Sequence, residues 1–355
     1  MTSIVPLAVG LRYLSPLPPL AAFILGGLAV AVLAVWMRRA TDQIAKRAGS
    51  AIGGLLNVSF GSAAELILML FVVMSGHPEV VRAQITGSII GTSLLGLGLA
   101  CLVGGLTRDQ QPFSQRRTGL LASLFLIVVF ALMLPAVFHD ADLGRGFTVQ
   151  QRLVSERALS VGVAVVLLLL YAGNLVYTLI THRDVFAGAN PKEAHPDDAS
   201  WGLVTSVAVL VGATAAIAVC ASIVSGALEG SAETLHLPLL FLGVVPLALV
   251  GTAADLFASM SFARQNRMDL VLAISIGSAI QVGLVIAPLL VLISWAMGTP
   301  MTLVFPNSLD LFAITGAAFI VRAITADGDS SWFEGLLLIG VYVLLALAFF
   351  FIAPG

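Results

Sequence analysis

Charged side chains are scarce in this chain. Asp, Glu, Lys and Arg together make up 10% of its 355 residues, against roughly 25% in a soluble domain, which is too little charge to coat a water-facing surface. Cysteine is nearly absent. Cys101 and Cys220 both sit in apolar runs, which excludes a disulfide framework and a structural zinc site and leaves them as small buried hydrophobes. The five histidines, His77, His139, His182, His195 and His236, fall at segment ends or in loops, so no His–Cys cluster exists for a soft metal. The formal net charge is −2 and no basic arm or stripe occurs, so nucleic acid is excluded as a partner. No nucleophile–base arrangement, phosphate loop or metalloprotease motif appears, so an enzyme is not expected, and neither is a bound cofactor.

What the chain has in abundance is apolar sequence, at 59% of residues. It is arranged in long runs, several beyond the ~18 residues read as a membrane-spanning helix. Eleven helical segments are expected, at about 3–15, 18–37, 50–75, 80–105, 118–138, 157–180, 202–226, 237–262, 268–297, 309–324 and 332–352. The first is short, contains Arg12, and has neither a basic n-region nor a small-x-small cleavage site; it reads as a retained membrane helix rather than a signal peptide. The one long hydrophilic connection runs from His182 to Ser200. The expected fold is an all-α polytopic membrane protein.

Basic residues set the orientation. The gaps after the second, fourth, sixth, eighth and tenth segments hold Arg38, Arg39, Lys46, Arg47, Arg108, Arg116, Arg117, Arg183, Lys192, Arg264, Arg267 and Arg322, and the other side holds only Arg12, Arg82, Arg145, Arg152 and Arg157. The positive-inside rule puts the richer side in the cytoplasm, with the N-terminus inside and the C-terminus outside. The short loops fit a prokaryotic plasma membrane.

The chain resembles itself at an offset of 190 residues. Gly61-Ser62-Ala63-Ala64-Glu65-Leu66 falls on Gly251-Thr252-Ala253-Ala254-Asp255-Leu256, Glu79 on Asp269, and Gly87-Ser88 on Gly277-Ser278, without a gap. Apolar chains align by accident, but a paired acid flanked by matched Gly and Gly-Ser does not arise easily. The expected organisation is a short N-terminal helix (1–17), a first five-helix repeat (18–181), a cytoplasmic linker (182–200) and a second repeat (201–355). Five is odd, so the second repeat starts on the opposite side of the membrane. The two are therefore inverted, an architecture typical of secondary transporters with the site at the midplane between halves.

Glu65 and Asp255 lie inside apolar segments. A charge at bilayer depth costs at least about 2.5–3.5 kcal/mol and is tolerated where it meets a cavity or a partner. No Lys or Arg lies in mid-segment, so two acids without a base are expected to hold a cation or protons. Ser62 and Thr252 sit one turn before the acids, and Ser88, Thr92, Ser278 and Gln281 come from the following segments. Any one such hydroxyl often bonds only its own i−4 carbonyl. Gly61, Gly251, Gly87 and Gly277 are expected to be structural breaks, freeing backbone carbonyls as further ligands. Ligands made only of oxygen point to a hard cation such as calcium. A divalent ion or two protons would neutralise the acid pair alternately, which gives cation/proton exchange. A sodium- or potassium-for-proton exchanger is the alternative, and a channel or scaffold the reading from another class. Asp310 and Glu334, in the first turns of their segments, read as structural acids at positive helix ends.

The stretch Gly53-Gly54-Leu55-Leu56-Asn57-Val58-Ser59-Phe60-Gly61-Ser62-Ala63-Ala64-Glu65-Leu66-Ile67 resembles the first signature of the calcium/proton exchangers, within the calcium/cation antiporter superfamily. So do Ile85-Thr86-Gly87-Ser88-Ile89-Ile90-Gly91, Met268-Asp269-Leu270 with Gly277-Ser278-Ala279-Ile280-Gln281, and Ala326-Asp327-Gly328 before Trp332-Phe333-Glu334-Gly335. The resemblance runs from about residue 20 to the end. It implies eleven helices, cation ligation by Glu65 and Asp255, and alternating access by movement of the second and seventh segments past the rest. The family usually has Asn where this chain has Ser62, Thr252 and Thr92, and Glu-His where it has Asp255-Leu256. Aspartate is one methylene shorter than glutamate, so the site is expected to be wider or to reach less far on that side, and Ser62, Thr252 and Thr92 in place of three Asn remove three amide oxygens. The linker also lacks the long acidic run that many members carry.

Overall fold

A computed structural model describes residues 18–106, 108–143, 149–178, 201–305 and 307–351. The expected first segment and the 182–200 linker lie outside these residues. Ten helices of membrane character and one short helix account for nearly all of the described chain. They are α1 (Pro19–Phe60), α2 (Ala63–Met74), α3 (Pro78–Gly105), α4 (Gln115–Leu143), α5 (Val149–Val176), α6 (Leu203–Gly226), the short α7 (Leu228–Leu235), α8 (Leu239–Arg264), α9 (Met268–Ala296), α10 (Ser308–Ile324) and α11 (Trp332–Phe350). Among the described residues, eight helices are long and apolar enough to cross a membrane. Two two-residue strands, β1 (Gln111–Pro112) and β2 (Asp329–Ser330), pair antiparallel and tie the loop after α3 to the loop after α10.

The surface is inverted relative to a soluble protein. Phe130, Leu169, Val204 and Phe319 are all more than 60% exposed, whereas Glu65, Gln84, Ser88, Thr92 and Thr252 are at most 1% exposed. Apolar side chains outside and polar ones inside suit a bilayer, where the surroundings are as apolar as the side chains themselves. The chain is a polytopic all-α membrane protein.

The loops alternate between two faces. At one, here the β face, Arg108 Nη2 donates to the Arg264 carbonyl (3.3 Å), the Ser114 amide donates to Asp269 Oδ1 (2.9 Å), and Gln115 Nε2 donates to the Ala326 carbonyl (2.7 Å). At the other, here the α7 face, His77 Nε2 lies 3.4 Å from Glu229 Oε1, Arg82 Nη1 donates to the Thr302 carbonyl (3.4 Å), and the Leu303 amide donates to Ser160 Oγ (3.1 Å). Helices at matched repeat positions therefore run oppositely. Pro19 packs against Gly230 in α7, while Arg47 Nη2 donates to the Trp201 carbonyl (2.7 Å) just before α6. So α1 descends toward the β face and α6 ascends from it. In the same way α2 ends by α7 where α8 begins, and α3 ends beside Trp332 at the β face where α9 begins.

Two helical details correct the expected pattern. The second segment does not stop at 37, because helix α1 continues to Phe60. Residues 38–48 contain neither Gly nor Pro, and Asp42 stands one turn beyond Arg38 within electrostatic reach of it, so nothing local ends the helix there. The second detail is π-helical turns inside three of the helices, at Gly91–Gly96 in α3, Gly243–Leu247 in α8 and Val282–Ile286 in α9. Pro246, which has no amide hydrogen to donate, lies inside the second. The first and third fall at nearly the same place in the two repeats when the 190-residue offset is applied.

Candidate functional site

Helices α2, α3, α8 and α9 meet at the centre. The close approach of α3 and α8 depends on Gly87: a Cβ there would lie 1.9 Å from the Val244 carbonyl oxygen. Helix α3 runs unbroken through Gly87, α8 through Gly251 and α9 through Gly277, so these three glycines are not breaks, contrary to expectation. Each sits in a segment whose backbone hydrogen bonds have no other partner in a bilayer, so a lone glycine there does not unwind the helix. Helix α1 ends at Phe60 and α2 begins at Ala63, which leaves Gly61 and Ser62 between two helices.

Glu65 lies in the first turn of α2 and is 1% exposed. A Cβ on Gly251 would lie 3.2 Å from Glu65 Cγ and 3.7 Å from Gln84 Nε2. The glycine of the second repeat thus makes room for the acid of the first. Ser88 points toward the Glu65 carboxyl, yet Ser88 Oγ and Glu65 Oε1 are both buried without a hydrogen-bond partner. An unpaired buried carboxylate oxygen is costly and favours a proton or a cation there.

Asp255 lies one turn beyond Gly251 on α8 and is 8% exposed. Ser278 Oγ donates to its Oδ2, which matches the orientation of Ser88 toward Glu65 in the other repeat. Ser62 Oγ donates to Gln281 Oε1 at 3.1 Å. Ser62, Asp255, Ser278 and Gln281 line a cavity of about 580 Å³, together with Gly61, Gly277 and residues such as Leu120, Tyr171, Asn174 and Thr178. Asn174 and Thr178 stand at the β-face end of α5, and Leu120 in the first turns of α4. The cavity therefore extends from the β face down to Asp255, with Glu65 buried behind it. Thr92 and Thr252 do not contribute hydroxyls to it. Thr92 Oγ1 donates to the Ser88 carbonyl (2.8 Å) and Thr252 Oγ1 to the Ala248 carbonyl (2.8 Å), each one turn back on its own helix.

Sequence reasoning missed two residues. Gln84, fully buried on α3, sits one turn before Ser88 and faces the Glu65–Gly251 contact; its polarity inside an apolar run was the available signal. The other is Arg38. The expectation of acids without a base is overturned, because an Arg38 Nη1–Asp255 Oδ1 ion pair forms inside the cavity. The basic residue assigned to an aqueous gap lies on the prolonged helix α1, and its long arm reaches down to the acid. Asp310 likewise gains a base: it is 2% exposed in the first turn of α10, with the Thr86 hydroxyl directed at it and the Arg82 charge within electrostatic reach. Glu334 closes a capping box with Ser331, as an acid at a helix start should. Among the described residues no cluster of three or more His, Cys, Asp or Glu could hold a metal.

Two buried acids in equivalent turns, each facing its own repeat's serine, form a pseudo-symmetric pair; Glu65 also meets Gly251 of the other repeat, and Asp255 lines one cavity with Gly61. The family model described as "Sodium/calcium exchanger protein" matches residues 18–180 and 205–351. The chain belongs to this family. Members of the sodium/calcium exchanger family similar to it include a Ca(2+)/H(+) antiporter of Synechocystis, 39% identical over 343 residues, covering 93% of this chain and 90% of the relative. The Ca(2+)/H(+) antiporter ChaA of Bacillus subtilis is 36% identical over 326 residues, covering 90% of this chain and 89% of that one. Among solved structures, native YfkE superposes with a TM-score of 0.83 at 31% identity, covering 99% of this chain and 98% of YfkE. The H+/Ca2+ exchanger CAX superposes at 0.72 with 17% identity, covering 98% of this chain and 91% of that one, a likeness of fold alone.

Proposed function

We propose that this protein is a secondary transporter that exchanges a divalent cation, calcium first, for protons by alternating access. The observation that carries the reading is the unpartnered carboxylate oxygen of Glu65, buried behind a cavity that ends at a second acid, Asp255. Glu65 and Asp255 bind the cation or the protons, with Ser62, Ser278 and Gln281 as neutral oxygen donors. A divalent ion neutralises two carboxylates, and so do two protons, so the two substrates exclude one another. Bare carboxylates resist movement past apolar walls, which ties the transition to a loaded site. Relatives named as Ca(2+)/H(+) antiporters over most of both chains support the choice of ions.

The repeats of this reading span 18–181 and 201–355, and the antiparallel pairing of α1 with α6 supports their inversion. The β face carries Arg47, Arg108 and Arg264, so the positive-inside rule makes it cytoplasmic and the cavity cytoplasm-facing. In a prokaryotic plasma membrane the N-terminus is then inside and the C-terminus outside.

The test is proton flux in proteoliposomes holding the purified protein, followed with an internal pH dye. Calcium, manganese, magnesium, sodium and potassium are added separately. A pH change on calcium but not on sodium or potassium is expected. A response to sodium or potassium alone would reassign the ion, and no response to any of the five would remove the exchanger reading.

A further inference from the structure

Arg38 pairs with one of the two acids to which the exchange reading assigns the cation. It sits on α1 about 13 Å from Arg47 along the axis, at ~1.5 Å per residue, so its side chain enters the cavity from the β-face side. Its guanidinium pairs with Asp255 Oδ1, while Ser278 takes Oδ2. Both oxygens of the acid are thereby engaged by protein donors. The Arg38 side chain is 23% exposed and that of Asp255 11%, so the pair is desolvated enough to hold yet wet enough to exchange. Asp42, one turn along α1 toward the β face, lies within electrostatic reach of Arg38.

We propose that Arg38 is a tethered counter-cation that sets the affinity of the site: it holds Asp255 in the empty state, and an incoming cation must displace it. The proposal rests on the exchange reading above and deepens it. A guanidinium cannot leave the protein, so it acts as a competitor at fixed, high effective concentration. It weakens binding from the β face and speeds release to that face, and it removes the cost of an uncompensated buried carboxylate between cations. The repeat-equivalent Glu65 has no such partner among the described residues, so Arg38 makes the two halves of the site unequal.

Calcium binding to the purified full-length protein tests this, measured by equilibrium binding of radioactive calcium at fixed pH. Arg38→Gln removes the competitor and is expected to tighten calcium about ten- to a hundredfold, the factor set by one charge-assisted hydrogen-bonded pair. Arg38→Lys, a point charge without the fork, is expected to tighten it only a few-fold. In Arg38→Ala, tens of millimolar free guanidinium should weaken calcium binding again, with no such effect on the parent protein; a pair that merely ties α1 to α8 would give no such competition. Equal affinity in the parent and in whichever of the Gln and Lys variants remain monodisperse would overturn the proposal and leave the exchange reading standing. Absence of calcium binding in parent and variants alike would overturn both.

Discussion

Replacing Gly87 by alanine puts a methyl group where the backbone of another helix already lies. The new Cβ would be 1.9 Å from the Val244 carbonyl oxygen and 2.7 Å from Ala248 Cβ, about 1.5 Å inside ordinary contact distance. The obstacle is backbone, so α3 and the π-helical turn of α8 must separate. An alanine in a helix interior normally gains about 0.5–1 kcal/mol over glycine, whereas overpacking costs about 1–3 kcal/mol and sometimes more. Because the obstacle is backbone, the top of the overpacking range applies, and the sum is a net destabilisation of about 2 kcal/mol for Gly87→Ala. Its repeat equivalent behaves oppositely: nothing lies within 4 Å of a Cβ on Gly277, so Gly277→Ala should be neutral or stabilising by up to ~1 kcal/mol. Thermal melting of both variants in one detergent, read by loss of the monodisperse peak on size exclusion, separates them. Gly87→Ala should melt several degrees below the parent and Gly277→Ala at or above it. Equal shifts, or the reverse order, would refute the packing argument.

Two further outcomes follow from the site. Thr252→Val should leave calcium-driven proton flux within about twofold of the parent in the proteoliposome assay, because the Thr252 hydroxyl bonds only the Ala248 carbonyl behind it. Asp255→Glu should tighten calcium a few-fold in the equilibrium binding assay, since the added methylene extends the carboxylate into the cavity that Asp255 lines; weaker binding would count against that geometry.

Most of the architecture was legible because it was written in hydropathy. The expected segments at 202–226 and 268–297 match α6 and α9 to within a residue, since a run of apolar residues between charged gaps has few alternatives in a bilayer. The self-match at 190 residues brought Glu65 and Asp255 to equivalent turns. Repeat equivalence did not extend to packing. Gly87 and Gly277 occupy the same register, yet only Gly87 meets a neighbouring backbone, because closeness depends on the path of the partner helix. Arg38 was illegible as a site residue because composition marks a gap by its charge, while helix continuation is decided by the absence of Gly and Pro and by the Asp42 spacing. A long side chain then carried the charge back into the core. The π-helical turns left a sequence trace only where Pro246 interrupts the hydrogen-bond ladder.

The claim that a cation and protons share the Glu65–Asp255 site is tested most directly by one variant, Glu65→Gln, reconstituted beside the parent at equal protein density. The substitution keeps the shape and removes the charge at the buried, unpartnered oxygen. Calcium-driven proton flux should fall at least a hundredfold, the loss expected when a carboxylate made to compensate the ion is gone, while the protein remains inserted and monodisperse. Flux equal to that of the parent would contradict the assignment of Glu65 to the site.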